Sequence, residues 1–241
     1  MKLTILAIII IISQVGWINL AKAANPAAMR RLLETNECLR CDLSKANLSN
    51  ANLIGANLEG ANLQEANLSG ANLVATILSD ANLSNANLFR ATMNDADLRG
   101  ADLTDAYLSH ANLSRASLTE ANLENANLFE ANLIESLASG ANLSNANLRQ
   151  SSWFRANLEN ADLRASDLFS ANMHQANLKN ANFSNANLTK AKLMETNITL
   201  ANLSGANLEG VNLRGTSIGI SVCLIINYIG CAPQKVIPEV K

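Results

Sequence analysis

The sequence predicts a solenoid, a rod made by stacking coils of one repeated unit. The unit is five residues long, Ala-Asn-Leu-x-x, and it stays in register from residue 41 to residue 218. Taking every fifth residue from 43 to 218 as a unit centre gives 36 units, and Leu fills 29 of these centres. Ala stands two residues before the centre in 28 of the 36 units. Self-similarity of this strength indicates a repeat architecture.

A period of five excludes one long helix or one long strand, because either would spread the Leu side chains around its surface. The unit makes sense as one short side of a coil followed by a turn, with Leu and Ala pointing inward. The other three positions then point outward. The second residue after Leu is often a type that tolerates the positive φ of a tight turn, namely Gly55, Gly60, Gly70, Gly100, Gly140, Asn85, Asn125 and Asn145.

These units resemble those of the pentapeptide repeat family over residues 41–218 of the 241. The segment 32–44, LLETNECLRCDLS, also resembles the lead-in of exported bacterial members of cyanobacterial type. The resemblance implies an all-β fold, a right-handed quadrilateral β-helix with four units in each coil. The 36 units then make about nine coils, a rod roughly 43 Å long at the usual spacing between strands.

Residues 1–23 have the pattern of a secretory signal peptide, with Lys2, an apolar stretch and the triplet Ala21-Lys22-Ala23. We expect cleavage after Ala23, which changes the net charge from −2 to −4 because Lys2 and Lys22 are lost. A retained membrane anchor is the alternative. The predicted location is a bacterial periplasm or a thylakoid lumen. After residue 23 no apolar run is long enough to span a bilayer.

Both ends of the rod need a cover, because an open coil edge invites further stacking. At the N-terminal end, residues 24–37 are predicted to form a capping helix that starts at Asn25-Pro26. Met29, Leu32 and Leu33 are expected to lie on the first coil. The repeats follow as residues 38–218, and residues 219–241 form a C-terminal cap and tail. The apolar stretch 218–229, IGISVCLIINYI, is either a cap or a homodimer interface.

The four cysteines fall into two pairs, one at each end of the rod, so they cannot jointly bind one metal ion. Cys38 and Cys41 precede the repeats, whereas Cys223 and Cys231 follow them. In an oxidising compartment each pair is a candidate disulfide that fixes a cap. Cys38-x-x-Cys41 also has the spacing of a redox motif, but the surrounding pattern of strand and helix is missing.

No catalytic or cofactor site is predicted, and we expect the protein not to be an enzyme. The only histidines are His110 and His174, which would lie on different faces of a four-sided rod. They are expected to be solvated. Residues 41–218 hold 17 acidic and 11 basic residues, an ordinary mixed surface. A filled, convex rod also lacks the concave pocket that substrates usually occupy.

Outward residues 20 positions apart should stack in columns along the rod. One column contains Phe89, Phe129 and Phe169, and Tyr107 belongs to the same face. The next face carries Ile134 and Phe154, and the other two faces are expected to be polar. Aligned apolar side chains mark interaction sites, so these six residues form a candidate partner-binding surface. Duplication of a two-coil block that contains Phe is the alternative explanation.

One irregularity lies inside the repeats. Ala138 and Trp153 occupy centres where Leu is usual. We expect Trp153 to fill the volume that the small Ala138 leaves. The alternative is a one-residue bulge that turns Leu137 inward.

Three functions are compatible with this pattern to different degrees. The first is an exported structural rod that presents its apolar face to a protein partner in the envelope or lumen. The second is a DNA mimic that binds gyrase, as some pentapeptide repeat proteins do, although the net charge of −6 over residues 41–218 is modest. The third is a membrane-tethered rod that keeps its N-terminal segment. Neither a nucleic acid nor a small-molecule substrate is expected as a partner, because no basic aromatic strip or pocket is predicted.

Overall fold

The structure, a computed structural model, describes residues 25–218. It begins with helix α1, Pro26–Thr35. The side chain of Asn25 accepts a hydrogen bond from the Ala27 N–H at 3.0 Å, and Pro26 takes the first helical position. The helix ends at Asn36, whose left-handed backbone (φ 60°) lets its N–H donate to the Leu32 carbonyl at 2.9 Å. The N-terminal cap is the one that the sequence predicts, and Asn36 caps the C-terminal end.

Helix α1 packs on the repeats through Ala28 and Leu32, which are buried in the same core as Cys38. Met29 is partly buried against that core. Leu33 was expected on this side as well, but it is 38% exposed. The expectation was wrong because Leu33 comes five residues after Ala28, which turns it about 140° around the helix from the buried side. Among residues 25–218, no helix has the length and apolar character needed to cross a membrane.

The repeats form a ladder of parallel β-bridges between residues 20 positions apart, from Glu37↔Asn57 to Asn197↔Ser217. Each side of a coil contributes one bridged residue, and no longer strand occurs among the described residues. Four units therefore make one coil, as the resemblance implies. The bridged residue is the one before the unit centre, which is Asn in most units.

Every backbone N–H of a regular unit has an acceptor, as the unit 111–115 illustrates. Three of its N–H groups donate to backbone carbonyls of the neighbouring coils. Asn112 donates to Ala91 at 2.9 Å, Leu113 donates to Asn132 at 2.7 Å, and Arg115 donates to Ile134 at 2.9 Å. The Ala111 N–H closes the preceding turn by donating to Leu108 at 3.0 Å. The fifth N–H, that of Ser114, donates to the side-chain oxygen of Asn112 at 3.2 Å. Asn is thus the residue that satisfies the last unpaired donor.

The Asn side chains also bond to one another along the rod. The amide of Asn132 donates to the Asn112 side chain at 3.0 Å, and Asn147 donates to Asn127 at 3.1 Å. From the sequence, these Asn side chains were predicted only to point outward. Their donor and acceptor groups in fact tie successive coils together, and this function was missed.

The interior and the turns follow the predicted scheme. Leu centres and the preceding Ala residues are buried through most of the ladder, whereas Leu208 and Leu213 near its C-terminal end are only partly buried. The second residue after each centre has positive φ, at Gly55 (62°) and Asn85 (58°) but also at Arg90 (55°) and Glu130 (55°). The backbone hydrogen bonds therefore impose the left-handed turn on residue types that seldom adopt it.

Ala138 and Trp153 both lie in the core without exposure. The Trp153 indole N–H donates to the Ser151 hydroxyl at 2.9 Å, and that hydroxyl donates to the Leu148 carbonyl at 2.6 Å. Leu137 is 50% exposed, and its bridges to Ser117 and Asn157 keep the regular register. The alternative of a bulge that turns Leu137 inward is therefore wrong. That Trp153 fills the volume left by Ala138 stays a prediction.

Candidate interaction surface

Phe89, Phe129 and Phe169 lie in one column on one face of the rod, Tyr107 lies beside that column, and we call these four residues the aromatic strip. The three Phe residues each follow a buried Leu, and bridges 20 residues apart place those Leu residues on the same side of every second coil. Tyr107 is 45% exposed and the Phe rings are half-buried. The strip therefore faces solvent, although its rings also pack against the rod.

Contacts along the strip are continuous at its N-terminal half. The ring of Phe89 lies 6.1 Å from that of Tyr107, centroid to centroid. The His110 imidazole stands edge-on between Phe89 and Phe129, 5.6 Å from each ring. Its Nδ1 lies 3.2 Å from a Glu130 carboxylate oxygen. His110 is exposed, as the sequence predicted, and its ring also lies between two Phe rings of the aromatic strip.

Cationic groups lie over the rings of the strip. The Arg90 guanidinium is 5.1 Å from the centre of Phe89, and that of Arg149 is 4.4 Å from the centre of Phe169. Lys190 approaches the same Phe169 ring at 5.6 Å. Such contacts attract a cation to the negative face of the ring. The surface is thus aromatic and cationic, not purely apolar as the sequence suggested.

Ser109 lies between Phe89 and Phe129 in the same column, and it is buried. Its hydroxyl has no hydrogen-bond partner. At the same position in regular units, Ser49 and Ser69 donate to the Asn two residues earlier, each at 2.8 Å. Residue 107 is Tyr, so this acceptor is missing. The aromatic side chain therefore replaces a hydrogen bond that the repeat normally makes.

The second predicted group, Ile134 and Phe154, lies on the adjacent face. Phe154 stacks on His174 with the ring centres 5.5 Å apart, and the Arg155 guanidinium lies 4.8 Å from the Phe154 centre. The Nδ1 atom of His174 is 2.9 Å from the Met194 carbonyl oxygen. Ile134 is half-buried. The structure thus places the six candidate residues on two neighbouring faces.

Polar side chains connect the turns beside this second column. Arg115 donates to Asp95 at 2.8 Å, Arg155 donates to Gln175 at 2.8 Å, and Gln175 donates to Glu195 at 2.8 Å. The hydrogen bond from Arg115 lowers the pKa of Asp95, with smaller help from Asn94 and from the charge of Arg115. These groups are solvent-exposed, so each contact stabilises the rod little. In the sequence, these contacts are indicated by charged turn residues that recur 20 positions apart.

One of the two faces that were expected to be polar, the face that contains Glu59 and the residues 20 positions apart from it, is less polar than the sequence predicted. Ile77 is 39% exposed and Leu137 is 50% exposed at positions where most units have Asn. The prediction of two polar faces was wrong at these positions because it considered only the residue after each unit centre, whereas Ile77 and Leu137 each precede a centre.

Cys38 and Cys41 lie at bonding distance beside α1, with their Cα atoms 5.2 Å apart. The other candidate pair, Cys223 and Cys231, lies outside the described residues. Within residues 25–218, no group of three or more His, Cys, Asp or Glu side chains is placed to hold a metal ion. The described chain thus offers a surface and a cysteine pair as its chemical features.

The 20-residue register, the Leu and Ala interior and the Asn ladder define a solenoid protein of the β-helix class. The Pentapeptide repeats family model matches the chain in eight copies, which together cover residues 41–215. The chain therefore belongs to the pentapeptide repeat family. No curated protein matches it significantly.

Among solved structures, the chain is similar to HetL, a pentapeptide repeat protein involved in heterocyst differentiation regulation from the cyanobacterium Nostoc sp. strain PCC 7120. The two are 33% identical over 81% of this chain and 97% of HetL, with a TM-score of 0.51. This likeness supports the right-handed quadrilateral β-helix.

Two further likenesses are weaker. A pentapeptide repeat protein of the Arabidopsis thaliana thylakoid lumen is 26% identical over 45% of this chain and 69% of its own, with a TM-score of 0.30. QnrB1, a plasmid-mediated fluoroquinolone resistance protein, is 18% identical over 82% of this chain and 95% of its own, with a TM-score of 0.34. Neither of them supports an argument about function.

Proposed function

We propose that this protein is a non-enzymatic, exported interaction rod that binds a protein partner in the envelope or lumen through the aromatic strip. The observation that carries the proposal is the alignment of Phe89, Tyr107, Phe129 and Phe169 on one face, with Tyr107 45% exposed. Aromatic residues are enriched where protein interfaces gain most of their binding energy. A single exposed ring needs no explanation, but four aromatic rings on one face favour a binding role.

The partner chemistry follows from the groups around the rings. Arg90, Arg149 and Lys190 lie over Phe89 or Phe169, and Arg149 also pairs with Asp167 at 3.0 Å. A partner surface that combines apolar side chains with carboxylates would complement these groups. The same cations argue against DNA mimicry through this face, since mimicry requires a continuous acidic surface.

The ladder supports the proposal by holding the strip rigid. Tyr107 bridges to Asn87 and Asn127, so the backbone beneath the rings is bonded to both neighbouring coils. A surface that is already ordered loses little conformational entropy when it binds. We infer that the rod serves as a fixed support for the strip.

The test is affinity capture with cross-linking from the native envelope fraction. The variant replaces Phe89, Phe129 and Phe169 with Ser. The matched control replaces Gln64, Glu124 and Arg164 with Ser, because these residues occupy the same position in their units on another face. Circular dichroism checks that both variants keep the fold.

We expect the wild type and the control to capture the same partner, and the Phe variant to lose it at least tenfold. Equal capture by all three proteins would contradict the proposal and favour duplication as the origin of the strip.

Export depends on residues 1–23, which lie outside the described residues. The sequence pattern supports cleavage after Ala23, and the cysteine pair beside α1 suits an oxidising compartment. N-terminal sequencing of the protein from its native fraction tests this part of the proposal. A chain that begins at Ala24 is expected. A chain that still begins at Met1 would instead indicate the membrane-tethered rod.

A further inference from the structure

Cys38 and Cys41 occupy two core positions of the repeat. Cys38 stands at a unit centre, where Leu is usual, and Cys41 stands where the next unit has Ala. The Cys41 N–H donates to the Cys38 carbonyl at 3.1 Å, and the Ala46 N–H donates to Leu43 at 3.0 Å in the next corner. The pair therefore lies in an ordinary Leu-x-x-Ala corner, and the spacing of that corner brings the two sulfur atoms together.

Stabilisation alone does not account for this pair. A disulfide that closes a loop of so few residues removes little entropy from the unfolded chain, because the gain grows with loop length. Cys38 also fills less of the core than the Leu it replaces, which costs packing. A Leu and an Ala at these positions would fit the repeat as well, so the pair needs another explanation.

The two sulfur atoms differ in their surroundings. Cys38 is fully buried, and its Sγ lies 3.5 Å from the Ala28 carbonyl oxygen of α1. Cys41 is only partly buried. An external thiol can therefore reach Cys41, whereas Cys38 lies against the helix. The bond thus joins an accessible atom to the contact between α1 and the first coil.

We propose that Cys38 and Cys41 form a thiol–disulfide exchange site, and that its redox state sets how firmly α1 is held on the first coil. The reactant is a dithiol protein of the thioredoxin class. One of its thiolates attacks the Cys41 sulfur, the Cys38–Cys41 bond breaks, and Cys38 leaves as a thiolate that takes up a proton. The second thiol of the reactant then displaces Cys41, which also leaves as a thiolate and is protonated. In total, two electrons pass to the cysteine pair, and the reactant becomes a disulfide.

Reduction changes the support under α1. The oxidised pair fixes the Cys38 sulfur beside Ala28 and the buried Leu32. The reduced pair leaves two small, independent thiols in a corner built for Leu and Ala. Since α1 lies on the first coil, loosening it uncovers that end of the ladder, where open β-edges can associate.

The test uses the folded protein without its leader, treated with dithiothreitol or with a thioredoxin. Alkylation followed by mass spectrometry reports the redox state of Cys38 and Cys41. Hydrogen exchange then compares residues 26–36 with residues 100–140. We expect complete reduction with unchanged circular dichroism, and exchange at least tenfold faster in α1 but not in the middle of the rod. Reduction only in denaturant, or equal exchange of α1 in both states, overturns the proposal.

The double variant Cys38→Leu, Cys41→Ala is the control, because it restores the residues that the repeat normally has at this corner. Its α1 exchange should not respond to reductant. A response of the same size as in the wild type overturns the proposal and attributes the effect to other cysteines. The outcome does not depend on the aromatic strip, so it leaves the proposed partner binding untouched.

Discussion

The units 136–140 and 151–155 have the same backbone register as the regular units. They differ from them in the hydrogen-bond partners of their polar groups. A regular unit satisfies its last free N–H with the Asn side chain. In 151–155, with sequence SSWFR, a Ser precedes the centre instead, and the Trp153 indole bonds to Ser151. In 136–140, with sequence SLASG, the Ser136 hydroxyl has no partner and Leu137 is exposed.

The comparison indicates that the backbone ladder holds the register and the side chains adjust to it. Around the exposed Leu137, the N–H still donates to Ala116 at 3.0 Å, and the Ala138 N–H donates to Asn157 at 2.7 Å. A unit can therefore lose its Asn and keep its place in the coil. Tyr107 in the aromatic strip is a further example, because an exposed ring stands there in place of the usual Asn and the coil keeps its register.

The largest effect on stability is expected from Trp153→Leu, which restores the usual Leu at the centre of an irregular unit. Removing the larger side chain from a fully buried site should leave a cavity and lower the free energy of unfolding by about 3 kcal/mol. Urea unfolding followed by circular dichroism measures it. If Trp153 fills volume left by Ala138, adding Ala138→Leu to this variant should restore much of the loss. An unchanged midpoint in Trp153→Leu would reject the idea.

The next effect is expected from Asn132→Ala, which would remove one step of the regular ladder. The Asn132 side chain accepts from the Ile134 N–H at 3.1 Å and donates to Asn112 at 3.0 Å. We expect the free energy of unfolding to fall by about 2 kcal/mol, since a backbone donor and a side-chain acceptor lose partners. Asn132→Asp keeps the acceptor but not the donor, so it should cost less. Equal losses in both variants would show that the acceptor role contributes little.

Tyr107→Asn should act in the opposite direction and stabilise the rod. It supplies the missing acceptor for Ser109, whose hydroxyl has no partner. We expect a gain of about 1 kcal/mol in urea unfolding, together with weaker capture of the partner. Tyr107→Leu is the control, because it removes the phenol and offers no acceptor. A gain in that variant as well would attribute the effect to loss of the exposed ring.

The smallest effect is expected from acid titration of Asp95 on the exposed side of the rod. The hydrogen bond from Arg115 lowers the pKa of Asp95 in the folded protein. The pair thus contributes stability above the ordinary carboxylate pKa and loses it as the pH falls through the lowered value. Comparing the acid unfolding of wild type and Arg115→Gln measures this contribution, and added salt should reduce it. Identical acid profiles at low salt would exclude a contribution.

The repeat pattern made most of the fold predictable, because a five-residue period places each Leu and Ala unambiguously. The candidate surface was predictable in part. Phe89, Phe129 and Phe169 follow from column arithmetic, but His110 does not, since it belongs to a turn. Its place between two rings depends on side-chain direction, which residue spacing does not encode.

By itself, the sequence determined the coil length, the inward and outward positions, the start of α1 and the columns that hold aromatic residues. Those properties depend on local turns and on a register that repeats without interruption. Only the tertiary structure decided that Asn joins the coils, that cations lie over the Phe rings, and that Ser109 is buried without a partner. The bonds between Asn side chains and the contacts of Arg149 and Lys190 with Phe169 join residues about 20 positions apart, and Ser109 is buried by neighbouring coils, so these features exist only after one coil has stacked on the next.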